Sequence, residues 1–276
     1  MRITEKELEA FAVFLQSQDR SPGTVGKYLR DAAAFVAWLD GRDPAEAAVW
    51  RDSLLERGYA PVTVNSMLSA VNRFLKFLGR GECGIRYLRV QRRAFRAQDR
   101  ELSQAEYRRL LETAREQGRE RLALLMEAIC STGIRVSEAR YLTVEAARRG
   151  RAEVRLKGKI RTVLLPAKLC RKLLKYAGRR GTASGEIFLT RSGRGISRRQ
   201  IWQEMKALCE KAGVAPSKVF PHNLRHLFAA AFYRACRDVV KLADVLGHSS
   251  INTTRLYLMT SGEEHARQLE KLGLVT

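Results

Sequence analysis

Two stretches of the chain hold the residues best equipped for chemistry: His222-Asn-Leu-Arg225-His-Leu-Phe, and then Leu246-Gly-His248-Ser-Ser-Ile-Asn-Thr-Thr-Arg-Leu-Tyr257. They gather cationic donors and a phenol in one short region, which is equipment for attacking a phosphodiester. A phosphoryl-transfer transition state spreads negative charge over non-bridging oxygens, so fixed donors aimed at those oxygens supply most of the stabilisation. Arginine suits the task because its planar fork matches two phosphate oxygens and stays charged. His222 and Arg225 stand three positions apart, on one face of a helix, while Leu224, Leu227, Phe228 and Ala231 mark the stripe that turns inward. Pro221 fits a helix start, and a helix opening there adds free N–H groups and a positive dipole end.

A second arginine lies upstream in Ser131-Thr-Gly-Ile-Arg135-Val-Ser-Glu138, just after a Thr-Gly turn signal. With these segments the chain resembles the tyrosine recombinase family, also called the phage integrase family, in a Xer-like two-domain layout. TGIRVSE, HNLRH and LGHSSINTTRLY occur in the family's order, and the likeness extends through most of the chain. Dispersed motifs in order are a strong signal, whereas any one alone is weak.

The resemblance implies a role for each matching position. Tyr257 is the nucleophile, leaving a 3′-phosphotyrosine and a free 5′-hydroxyl, and the covalent bond conserves the energy needed for rejoining. Arg135 and Arg225 form the phosphate clamp; His222 accepts or shares the phenol proton; His248 is a further hydrogen-bond donor to phosphate. A phenol with an ordinary pKa of about 10 is a poor nucleophile at neutral pH, so a base or a strong positive field has to help it. Glu138 buttresses the cluster, by pairing with an arginine or by orienting His222. The 5′-oxygen takes its proton from a lysine on a β-hairpin, which places Lys157 or Lys159 of Arg155-Leu-Lys-Gly-Lys-Ile-Arg161 in that role. The family pattern has one more residue between its two lysines; Lys157, which aligns with the first, is favoured, with Lys159 as the supporting position.

These residues need a frame. The sequence predicts a mainly α protein with a small β-sheet: a helical bundle over residues 1–90, a basic linker over 91–101, and an α+β domain over 102–276. In the first part, Thr4-Glu-Lys-Glu7 reads as a capping box before Leu8, Phe11, Ala12 and Leu15. Ser21-Pro22, Asp43-Pro44 and Pro61 open three further helices, the last striped by Val64, Met67, Leu68, Val71, Leu75 and Leu78. By resemblance this bundle is the family's SAM-like core-binding domain, and the remainder its catalytic domain. Arg92, Arg93 and Arg96 in the linker are candidate DNA contacts. Ser103-Gln-Ala-Glu106 is a second capping box, opening the catalytic part. Its sheet is expected from segments around 143–148, 152–157, 160–165 and 186–189, with a tight turn at Gly158. After Tyr257, the apolar Leu269, Leu272, Leu274 and Val275 either dock into a neighbouring protomer, as the resemblance implies, or fold back on their own domain.

Composition agrees. Fifty-one Lys and Arg against 29 Asp and Glu give a net charge of +22, which calls for a polyanionic partner and makes binding strongly salt-sensitive. Ribosomal and RNA-binding proteins share that charge but do not require a downstream LGH…Tyr constellation. Gly79-Arg-Gly-Glu-Cys-Gly84 mimics a dinucleotide fingerprint but follows a helical pattern where a strand is needed. The five cysteines are too widely spaced to ligate a metal and read as reduced, mostly buried thiols. His226 and His265 read as structural or solvent-facing, and no carboxylate cluster points to a two-metal nuclease. No cofactor or metal is expected, and neither a membrane span nor a signal peptide is legible.

The expectation is therefore a cytoplasmic, nucleoid-associated site-specific recombinase. It would act as a tetramer of protomers on two double-stranded DNA sites, with a second recombinase or accessory protein as further candidate partners. The alternatives are a type IB topoisomerase-like enzyme and a catalytically silent DNA-binding relative.

Overall fold

The computed structural model describes residues 5–40, 42–43, 46–90, 100–156, 159–248, 250–255, 257 and 270–271. It separates into two compact units, Met1–Arg92 and Arg93–Thr276.

In the first unit, α1 (Glu5–Ser17), α2 (Pro22–Leu39), α3 (Ala47–Glu56) and α4 (Pro61–Phe77) pack as a bundle. Ser21 caps α2 by accepting from Thr24 N, with Pro22 in the first turn. Phe11, Leu15, Val25, Ala32 and Phe74 form one buried cluster, and Phe35, Trp50, Leu54, Val64, Leu68, Val71 and Leu75 a second. The chain leaving α4 is held against it by two side-chain amides one heptad apart: Asn72 and Asn65 each accept from and donate to the backbone of Ile85 and Leu88. Each amide stands in for a strand partner, so an extended segment is satisfied without a sheet.

In the second unit, α5 (Gln104–Glu116) begins at a capping box in which Ser103 N donates to Glu106 Oε2 at 2.8 Å and Glu106 N to Ser103 Oγ at 3.2 Å. It packs on α6 (Glu120–Thr132), whose Leu122, Leu125, Met126 and Ile129 lie at the centre of the core. A 3₁₀ turn, Val136–Tyr141, leads to α7 (Val144–Arg149) and then to the antiparallel hairpin of β1 (Arg151–Leu156) and β2 (Lys159–Leu164). Next come α8 (Ala167–Arg179), α9 (Arg198–Lys206), α10 (Cys209–Ala212), α11 (Pro221–Cys236), α12 (Val239–Leu246) and α13 (Ile251–Arg255). The molecule is thus mainly helical, with a two-stranded sheet among the described residues.

The sheet is smaller than the sequence predicts. Residues 143–148, expected as a strand, form α7, because Thr143 Oγ1 accepts from Ala146 N, two alanines follow, and Gly150 closes the helix at φ +69°. The 186–189 segment contributes isolated bridges, Thr143 to Glu186 and Leu189 to Gly195, in place of a strand. The hairpin turns Ala152, Val154 and Val163 into the core and leaves Ile160 and Leu164 exposed. The free cysteines are less uniformly buried than expected: Cys170 and Cys209 are buried, Cys83 and Cys130 half-buried, and Cys236 exposed. No described helix is long and apolar enough to cross a membrane.

Candidate active site

Pro221 occupies the first turn of α11, as its fixed φ allows, so His222 and Arg225 lie one turn apart near the helix N-terminus. Leu224 and Leu227 are buried and Phe228 and Ala231 half-buried, while the fully buried Ala229 joins them. Arg225 itself is only 2% exposed. Its guanidinium donates to the carbonyl of Gly133, to that of Leu246 at 2.8 Å, and to His248 Nε2 at 2.9 Å. These acceptors are neutral, and Arg225 has no carboxylate partner among the described residues. Burial, with Arg135 and Arg161 nearby, lowers its pKa to about 10, while the Tyr257 phenol beside it acts in the opposite sense. It stays charged at neutral pH. Its Nε is buried without a hydrogen-bond partner among the described residues, a donor costly to leave unmet.

Two glycines let these elements close in. Gly133 ends α6 at φ +65°, where an added Cβ would stand 2.5 Å from Phe228 Cδ1 and 2.9 Å from Leu246 Cδ2. Gly247 ends α12 at φ +63° in a Schellman motif, with His248 N donating to Ala243 O and Gly247 N to Asp244 O. That turn swings His248 back onto Arg225. Since arginine can only donate, His248 Nε2 is the acceptor, and the neutral ring carries its proton on Nδ1, 2.9 Å from the fully buried Thr254 Oγ1. Burial and the surrounding cations, Arg225 first, push the His248 pKa down to about 4, which keeps this tautomer neutral. Both ring nitrogens are thus engaged within the protein.

Arg135 leads into the 3₁₀ turn with its side chain 40% exposed. Glu138 is buried beneath it: Oε1 accepts from Arg135 Nη1 at 2.8 Å, and Oε2 from Arg135 N at 3.0 Å and from Arg161 Nη2. Burial alone would raise the Glu138 pKa, but the Arg135 hydrogen bonds and the Arg161 charge outweigh it and hold the carboxylate ionised below its usual range.

Tyr257 is buried in a small apolar cluster with Ala229, Leu242 and Leu246. Its ring lies 5.4 Å from the exposed His222, 5.4 Å from His248 and 4.8 Å from His226, centroid to centroid. His226 is therefore half-buried against the phenol instead of facing solvent. The signal was its place one helical turn beyond His222, on the same face. Arg161 was the other omission; nothing in the sequence ties a strand arginine to Glu138.

The structure brings Arg135, Glu138, His222, Arg225, His248 and Tyr257 together. Lys159 opens β2 with its backbone opposite Leu156. Lys157, the linker residues Arg92, Arg93 and Arg96, His265 and the apolar tail positions Leu269, Leu272, Leu274 and Val275 lie outside the described residues. No metal-ligating cluster occurs among the described residues.

Known proteins match along most of the chain. Residues 100–264 match the Phage integrase family and residues 8–82 the Phage integrase N-terminal SAM-like domain. The tyrosine recombinase XerA of Pyrococcus furiosus is 27% identical over 278 residues, covering 97% of this chain and 94% of the relative. The tyrosine recombinase XerC of Roseiflexus castenholzii is 30% identical over 283 residues, covering 91% and 88%. The solved XerH site-specific recombinase in a pre-cleavage complex with difH superposes with a TM-score of 0.70 at 20% identity, covering 97% of this chain and 84% of XerH, a likeness of fold alone.

Proposed function

Because the chain belongs to the phage integrase family, we propose that it is a tyrosine-type site-specific DNA recombinase with Arg135, His222, Arg225, His248 and Tyr257 as its catalytic residues. The Tyr257 oxygen attacks the scissile phosphorus, forms the O–P bond and expels the 5′-oxygen, giving a 3′-phosphotyrosine; the reverse attack by another strand's 5′-hydroxyl rejoins DNA and releases the phenol. The bond energy is conserved, so no ATP is consumed. The phenol proton passes to His222. Arg135 and Arg225 hold the non-bridging oxygens, each donor contributing about 10²–10³ in rate. The 5′-oxygen takes its proton from Lys157, with Lys159 as the neighbouring alternative. His248 acts as a phosphate donor only when its bond to Arg225 opens and Nε2 takes up a proton, and otherwise holds that guanidinium in place. Arg92, Arg93 and Arg96 track the backbone of the double-stranded site, and residues 1–90 and 102–276 grip it as separate domains joined by residues 91–101. Four protomers on two sites exchange strands through a Holliday junction.

The observation that carries this reading is the seat of Tyr257 among three imidazoles, beside a buried arginine whose partners are all neutral. A charge held by carbonyl dipoles instead of a carboxylate is left for an anion, and a phosphodiester supplies one. Cleavage is accordingly in cis, each protomer using its own tyrosine. The test is to incubate the protein with a pool of randomised nicked duplexes, capture protease-sensitive protein–DNA adducts, and assay supercoiled plasmid in parallel. An adduct on Tyr257 without relaxation of arbitrary plasmids is the expected result. Efficient site-independent relaxation would move the assignment to a type IB topoisomerase, and no adduct at all would leave a silent DNA-binding protein.

A further inference from the structure

Arg161 projects from β2 into the junction of three site elements, though the proposed chemistry gives it no step. Its Nη2 donates to Glu138 Oε2 and its Nη1 to the Val245 carbonyl at 3.0 Å, one turn before His248. Its Cδ lies only 2.4 Å from where a Cβ on Gly247 would stand. The side chain is 16% exposed, and Nε is buried without a hydrogen-bond partner among the described residues. One side chain thus ties the hairpin to the Arg135 turn and to the Gly247-His248 turn.

The charges show what this tie does. Glu138 sits between Arg135 and Arg161, so the three groups sum to +1. Without Arg161, the buried carboxylate would face Arg135 alone, and the pair would sum to zero. Arg135 would then meet a phosphate as half of a neutral ion pair, with its fork drawn inward toward both carboxylate oxygens.

We propose that Arg161 is a positioning residue that offsets Glu138, so that Arg135 is aimed by a carboxylate without being neutralised by it. The inference rests on the recombinase reading of the site. It predicts a charge-matched rescue: Arg161→Met brings the cluster to zero, Glu138→Gln alone brings it to +2, and the double variant returns it to +1.

The experiment uses the full chain and a nicked duplex captured by the wild type from a randomised pool. It measures the single-turnover rate of adduct formation, the salt dependence of DNA binding and the thermal midpoint of each variant. Arg161→Met is expected to slow cleavage about 10²-fold; because the Arg161 guanidinium is taken up by Glu138 and Val245, the salt slope of binding should change by no more than the one contact weakened at Arg135. Adding Glu138→Gln should recover about tenfold or more of that rate. Arg161→Lys, which keeps the charge but has one nitrogen for two acceptors, should fall between Arg161→Met and the wild type. A double variant no faster than Arg161→Met overturns the proposal, as does an Arg161→Lys rate equal to that of Arg161→Met. An unfolded Arg161→Met beside a folded, active double variant supports it; if both are unfolded, it is overturned. Failure of the wild type to form an adduct would instead remove the recombinase reading itself, so the two failures are distinguishable.

Discussion

Replacing Gly247 by alanine tests the packing of the site at its tightest point. The cost has two separable parts. An L-residue in the left-handed region costs roughly 1–2 kcal/mol. The new Cβ would also stand 2.4 Å from Arg161 Cδ, 3.0 Å from Nε and 3.4 Å from Cζ. Arg161 cannot retreat freely, because its guanidinium is bonded to Glu138 and Val245. Moving it breaks at least one charged hydrogen bond, roughly 1.5–3 kcal/mol, for a total of roughly 2.5–5 kcal/mol.

Gly150 supplies the control. It ends α7 at φ +69°, with nothing within 4 Å of its would-be Cβ, so Gly150→Ala incurs the backbone part alone. At about 2–4 °C per kcal/mol for a unit of this size, Gly247→Ala should lower the thermal midpoint of the full chain by roughly 5–20 °C and Gly150→Ala by roughly 2–8 °C. In an Arg161→Ala background the Gly247→Ala shift should shrink to that of Gly150→Ala, because the obstructing atoms are gone. Calorimetry on the four variants decides it. Equal shifts for Gly247→Ala and Gly150→Ala, or an unchanged Gly247→Ala shift without Arg161, would refute the steric argument.

A 5′-bridging phosphorothiolate has a leaving group that needs no acid, so it should rescue Lys157→Ala but not Tyr257→Phe; rescue confined to Lys159→Ala would transfer the role to Lys159. Because the folded His248 pKa of about 4 lies below the ordinary value of 6.5, the unfolded chain takes up a proton that the folded one refuses. His248's contribution to stability is complete above pH 6.5 and is lost as the pH falls toward 4. Replacement by asparagine should flatten that slope, and an NMR midpoint near 6.5 for the ring would contradict it. Arg225→Lys keeps a charge but cannot reach Gly133, Leu246 and His248 together. Adduct formation should therefore drop by about 10²–10³, and near-wild-type cleavage would count against the clamp.

The parts of the molecule legible in its sequence are those governed by local rules. Ser21-Pro22, Ser103 with Glu106, and Pro221 each start a helix where a cap or a fixed φ requires one. The spacing of Val64, Leu68, Val71 and Leu75 gave the inner face of α4 by period alone. Residues 143–148 were misread because Thr143 and Val144 favour a strand, while the Thr143 cap and Gly150 stop act at the ends of the segment and override that preference. His226 and Arg161 stayed hidden for a different reason. Their importance lies in contacts with Tyr257 and Glu138, which only the tertiary fold creates.

The two arginines of the proposed clamp are held in opposite ways, which bears on how the site stores charge. Arg135 is half-exposed and held by a carboxylate, so its charge is oriented but partly offset, and a phosphate approaches it from solvent. Arg225 is buried and held by carbonyls and a neutral imidazole, so its position is fixed at no cost in net charge. A second carboxylate at Arg225 would stabilise the empty protein and weaken the phosphate's hold in equal measure. Carbonyl dipoles from the ends of α6 and α12 avoid that trade because they orient a cation without cancelling it. It follows that a carboxylate placed at the Thr254 position, which faces His248 Nδ1, should protonate the ring, repel the guanidinium and unseat Arg225, although Thr254 touches neither arginine nor phosphate in the proposed reaction. Thr254→Asp should therefore raise the His248 midpoint and suppress adduct formation together, and an active variant with a raised midpoint would refute the coupling of His248 protonation to the seating of Arg225.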